Sequence, residues 1–113
     1  MALALAAGKP VRVARPTETV ADGMTPPFVG TLAVEAARRI VDEIVTVSEE
    51  AIVEAMELLI TRAKLFVEGS GAAAVAAVLS GAVKVAGGSR VVAIVSGGNV
   101  DMERVCSVLA TRH

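Results

Sequence analysis

Tryptophan and tyrosine are absent from this chain, phenylalanine occurs twice, and cysteine and histidine occur once each. With only Phe28 and Phe66 to stack on bases, and 11 basic against 12 acidic residues giving a formal charge of −1, the sequence offers no footprint for nucleic acid. The lone thiol, Cys106, can form neither an intrachain disulfide nor a thiolate metal cluster, so a reducing cytoplasm is the expected compartment. The lone histidine, His113, is the last residue and reads as a frayed terminus, which leaves no histidine base and no histidine-rich metal site. No stretch approaches the roughly 18 consecutive apolar residues of a transmembrane helix, because Arg, Lys or Glu interrupts each candidate. Residues 2–7 are apolar, but they have no basic flank and are too short for a signal peptide. They read as the end of a helix that Gly8 and Pro10 close, so the chain is expected to start inside a helix without a cap.

What is abundant is apolar side chains. They make up 54% of 113 residues, and 10 glycines add to them, against roughly 45 to 50% for a typical domain with glycine included. One domain of this length can hold a core, and the surplus is expected to face a partner.

The pattern alternates between strand-like and helix-like stretches. Residues 11–14 alternate, 44–47 are β-branched, and 91–95 (Val-Val-Ala-Ile-Val) suit a strand buried on both faces of a parallel sheet. Residues 16–30 carry Pro16, Gly23, Pro26, Pro27 and Gly30 and read as a long loop, of a length that is commonly functional. Thr31 can cap a helix over 32–41 whose face is Leu32, Ala36 and Ile40. Ser48 caps the next helix, with Glu49 and Glu50 in its positive first turn, Val47 stapled to Ile52, and a stripe of Ile52, Met56, Leu59 and Ala63. A small-residue helix spans 72–79 and Gly81 ends it. Another spans 100–111. The alternation predicts an α/β fold, a partial and mostly parallel sheet with flanking helices, in a single incomplete domain over residues 1–113.

Two glycine-rich turns invite a ligand. Gly69-Ser70-Gly71-Ala72-Ala73-Ala74 fits a dinucleotide pattern, but Gly87, Gly88, Ser89 and Arg90 stand where the pattern wants an acidic residue. A turn into a close-packed helix is the plainer reading. Ser96-Gly97-Gly98-Asn99 follows the apolar strand at the position where open α/β sheets bind ligands. Its glycines would let a flat or anionic group approach, while a plain turn with Asn99 as helix cap stays open beside that reading. Ser96 is a weak nucleophile without a histidine. Asp22 suits an Asx turn, and Glu68 is either a buried acceptor or a solvated residue.

In order and spacing, five stretches resemble the carboxyl-terminal third of the threonine dehydratase and serine racemase family, fold type II pyridoxal 5′-phosphate enzymes: Ala21-Asp22-Gly23-Met24, residues 41–50, Arg62-Ala63-Lys64-Leu65, residues 68–73, and residues 96–101. The resemblance covers about residues 19–109, in the large domain of such enzymes. It implies that Ser96 meets the pyridine nitrogen of the cofactor, with Gly97 beside it, that Gly23 lies against the ring face, and that Glu68 joins the polar network near the nitrogen. It also implies what is missing. The family's Schiff-base lysine motif, its phosphate loop and any divalent-cation ligands lie upstream, and Lys9, Lys64 and Lys84 sit in no such motif, so no catalytic residue and no metal is assigned. Where the family often has proline after the glutamate, this chain has Gly69.

The expectation is therefore a truncated or split, oligomeric dehydratase-like lyase. Completed, it would convert L-threonine or L-serine to a 2-oxo acid and ammonia, whereas the isolated chain would bind pyridoxal phosphate weakly or not at all and be inactive. Its partner would be a complementary amino-terminal fragment, or a second copy through exposed apolar surface. The alternative is a non-enzymatic α/β interaction module that completes a partner's fold.

Overall fold

Helix is the regular secondary structure among the described residues, 1–14 and 18–110 of this computed structural model. The elements are α1 (Ala2–Ala7), a 3₁₀ turn (Asp22–Met24), α2 (Thr31–Ile40), α3 (Glu49–Thr61), α4 (Gly69–Leu79) and α5 (Met102–Ala110). They fall into two compact units, one of Met1–Thr17 with Thr25–Ile44, the other of Glu18–Met24 with Val45–His113. Pro16, which opens the long loop, and the ends expected at Thr111 and His113 lie outside the described residues.

The sheet is not formed among the described residues. A strand exists by virtue of ladder bonds to a neighbour, and the segments at 11–14, 44–47 and 91–95 carry no such ladder. Residues 91–95 nevertheless keep the two-faced pattern of a strand. Val92 and Ile94 are 88% and 73% exposed, while Ala93 and Val95 between and after them are half-buried, Val95 against the core.

In the first unit α1 ends at Gly8, which takes the left-handed conformation and donates to Leu5 O. Its core is small, consisting of Ala4 with Val34 and Ala37 of α2. The buried face of α2 is thus Val34 and Ala37, not the expected Leu32, Ala36 and Ile40, and Leu32 and Ile40 are 81% and 79% exposed. Gly30, not Thr31, holds the cap position. Beyond the helices, Val13 N donates to Pro27 O at 2.8 Å, and the Arg12 guanidinium stacks over Phe28 at 5.5 Å.

The second unit has a continuous core. The Ser48 hydroxyl accepts from Ala51 N at 3.2 Å and starts α3 where the sequence places it. From there Ile52, Ala55, Met56 and Leu59 pack with Ala72 and Ala76 of α4, Val105 of α5, and Val67. Val47 packs on this cluster, as a staple requires. Ala63 is exposed, because α3 has already ended: Lys64 takes φ 59, Leu65 N reaches back to Leu59 O at 2.9 Å, and Lys64 Nζ donates to Thr61 O at 2.7 Å. No helix among the described residues is long and apolar enough to cross a membrane.

Candidate functional site

The amino end of α4 is where the predicted site residues meet. Helix α4 begins at Gly69, three residues earlier than expected, so the Gly69-Ser70-Gly71 stretch is its first turn and not a loop before it. The glycine spacing has a packing cause. A Cβ on Gly69 would strike the Val20 carbonyl oxygen, and one on Gly71 would lie 2.5 Å from Ser96 O and 2.7 Å from Gly97 O. Only a helix without side chains at those two positions lets both main-chain segments touch it.

Each candidate is reached from that turn. Glu68 occupies the cap position of α4 without capping it by its side chain, and its N–H donates to Gly97 O at 3.3 Å. Gly97 has φ 90, and a Cβ there would collide with Glu68 Oε1, so the carboxylate lies directly on the Gly97 backbone. Gly23 approaches Ser70, whose Oγ stands 2.9 Å from where a Gly23 Cβ would be. That Ser70 hydroxyl oxygen is buried and has no hydrogen-bond partner. Ser96, Gly97 and Gly23 are exposed, and Glu68 is half-buried, between its two sequence readings.

Beside this turn lies a cleft of about 210 Å³, lined by Asp22, Glu68, Asn99, Asp101 and Arg104 on its polar side and Val20, Met56, Val100 and Val108 on its apolar side. Arg104 Nη1 pairs with Asp22 Oδ2 at 3.2 Å, so Asp22 serves α5 as well as its own turn. Asn99 is not the cap of α5, which starts only at Met102. Val100 N instead turns back to Gly98 O at 2.9 Å, and Val105 N bonds Asp101 O, which leaves Asp101 next to the helix start. Among the described residues no group of three or more His, Cys, Asp or Glu is gathered for a metal.

One group near the cap is moved: Glu50 is held below the ordinary glutamate value of 4.5 by its backbone hydrogen bond first and by the Ser48 hydroxyl second. The sequence reading missed Thr19, Glu49 in its second role, Ser70 and Arg104. Arg104 carried no local signal, since its partners Asp22 and Thr19 are 82 and 85 positions away.

Residues 1–97 match the family described as pyridoxal-phosphate dependent enzyme, a span that reaches back before the stretch the motifs covered. A catabolic L-threonine dehydratase of Staphylococcus aureus (strain N315) is 46% identical over 97 residues, 84% of this chain and 28% of that protein. The structure of maize serine racemase superposes with a TM-score of 0.77 at 36% identity, covering 98% of this chain and 34% of that one. The structure of the T.th. threonine deaminase gives 0.71 at 40% identity, covering 88% and 33%. This chain thus spans about a third of the length of the proteins it matches; its structural neighbours support an α/β domain, and it belongs to the pyridoxal-phosphate dependent enzyme family.

Proposed function

We propose that this chain is the nitrogen-side half of a pyridoxal phosphate site in a split or truncated threonine or serine dehydratase. The observation that supports it most is the convergence of Gly23, Glu68, Ser96 and Gly97 on the first turn of α4. The residues present fit one side of the cofactor. Gly23 and Gly97 are exposed, so a flat ring could lie on their main chain away from Ser70 and Glu68, and Ser96 is exposed with a hydroxyl to offer. No lysine stands in a cofactor-linking motif, and no phosphate loop is present in the sequence.

When bound, pyridoxal phosphate supplies the electron sink for loss of a β-hydroxyl from the substrate. Ser96 would hydrogen-bond the pyridine nitrogen without protonating it, since a serine hydroxyl is no acid at neutral pH. Held by a neutral hydroxyl in this way, the ring would be a weaker electron sink than one paired with a carboxylate. Gly23 would give the ring a flat wall, and Glu68 would orient the Ser96–Gly97 backbone by its contact with Gly97. The net reaction of the complete enzyme would turn L-threonine or L-serine into a 2-oxo acid and ammonia.

A complementary amino-terminal polypeptide would complete both site and fold. Residues 11–14, 44–47 and 91–95 would then become strands of a mostly parallel sheet, within one domain to which all 113 residues contribute. The bare faces of Val92 and Ile94 are what such pairing would cover.

The test is to purify the chain alone and together with a complementary amino-terminal polypeptide, add pyridoxal phosphate, reduce with borohydride, and measure fixed cofactor and released ammonia. The pair should fix cofactor and release ammonia from threonine or serine, and the lone chain should do neither. Turnover by the lone chain would sink the half-site reading. A stable but inactive pair would turn the assignment to a non-enzymatic module that completes a partner.

A further inference from the structure

The turn that carries Gly23 is gripped from two helices, by Glu49 and by Arg104, which also lines the cleft. Glu49, the first residue of α3, accepts from Thr19 Oγ1 at 2.6 Å through Oε1 and from Val20 N at 2.8 Å through Oε2. The Thr19 hydroxyl gives its one proton to that carboxylate and uses a lone pair to accept from Ala21 N at 3.1 Å. From the other side Arg104 of α5 reaches Asp22 Oδ2 with Nη1 and Thr19 O at 3.0 Å with Nη2. Met24 N then closes the 3₁₀ turn on Ala21 O at 2.9 Å.

We propose that Glu49 and Arg104 are positioning residues that fix the segment of residues 19–22, and through it the placement of Gly23 against Ser70 at the amino end of α4. The coupling is mechanical. The Val20 carbonyl presses on bare Gly69, so a shift of the segment must move either the first turn of α4 or the Gly23 turn. Arg104 adds a second link, because α5 follows directly on the Ser96 turn and so ties that side of the site to the Gly23 side. A guanidinium fork can serve a carboxylate and a carbonyl together, which a lysine cannot match. The Arg104–Asp22 pair is about half exposed, so as an ion pair it is weak. The Glu49 contacts, both short and one of them to main chain, carry more of the grip.

The meaning of this clasp for cofactor binding rests on the half-site reading, and the experiment keeps the two apart. Amide hydrogen exchange is measured on the 113-residue chain. E49A should speed exchange at Val20 and Ala21 roughly tenfold, as loss of charge-assisted bonds predicts, while Ala55 and Met56 in the core stay as protected as before. T19V should do the same at Ala21, and T19S should restore wild-type exchange, which guards against an effect of misfolding. R104K should give a smaller rise, about two- to threefold. In the pair with the complementary polypeptide, E49A should raise the half-saturating pyridoxal phosphate concentration about fivefold while ammonia release per bound cofactor changes little. Unchanged exchange in E49A overturns the clasp, and faster exchange with unchanged cofactor affinity overturns its positioning role. A wild-type pair that takes up no pyridoxal phosphate overturns the half-site reading instead, and the clasp then stands or falls on exchange alone.

Discussion

The two compact units use the same kind of sequence to different ends. In the second, the apolar residues of α3, α4 and α5 find one another: Met56 is 2% exposed at the centre of a cluster with Leu59, Ala72, Ala76 and Val105. In the first, α2 is just as clearly amphipathic, yet only Val34 and Ala37 are covered while Leu32 and Ile40 lie bare. The difference is in the neighbours available. Where three helices follow one another in sequence they close a core within the chain, though Val92 and Ile94 beside it stay bare, and where a helix depends on a surface from elsewhere, its best apolar residues stay in water. Under the proposed reading, that surface belongs to the part of the enzyme this chain does not include.

Substitutions can sharpen that contrast. The largest effect is expected for M56A, which should destabilise the second unit by about 2 to 5 kcal/mol in denaturant melts, through lost burial and the cavity left behind. S48A comes next, at about 1 kcal/mol, because it removes the acceptor for Ala51 N. It should also alter the acid limb of a stability profile. The folded-state pKa of Glu50 is depressed, so its contribution is complete above the ordinary value of 4.5 and lost as pH falls through the folded value. Removing the Ser48 hydroxyl deletes the second of its two lowering contacts and should narrow that window. K64G should stabilise by up to about 1 kcal/mol, since it relieves a left-handed φ at a non-glycine residue, less what the Lys64 bond to Thr61 O contributed. The smallest change is expected for L32S and I40S in the chain alone, within about 0.5 kcal/mol. Should either instead cost as much as a core substitution, the contrast between the units would fail.

The helices were legible in the sequence to the extent that local chemistry decides them. Ser48, Val47 and the Ile52–Met56–Leu59 spacing located α3 because cap, staple and stripe act over a few residues. The face of α2 was misread, because the periodicity of Leu32, Ala36 and Ile40 says which residues share a face, not which face meets a neighbour. The sequence reads Gly69-Ser70-Gly71 as a turn into a close-packed helix from residue 72, whereas packing of those glycines on Val20 and on Ser96–Gly97 overrides their poor helix propensity and starts α4 at Gly69. The strand expected at 91–95 has no ladder among the described residues, because an apolar run marks a segment that can pair without supplying the neighbour it pairs with. The positions grouped at the site were legible only through resemblance to a family, whereas Thr19, Glu49 and Arg104 were silent because their partners are set by the fold.

The first turn of α4 has one further property. It meets Val20, Ser96 and Gly97 through main chain alone, and the residues after it are mostly alanine. Glycine and alanine have no rotamers to immobilise, so the Val20 and Ser96–Gly97 segments close on this turn during folding without the side-chain entropy loss that lysine or glutamine there would impose. A junction made of backbone leaves no side chain to reorder.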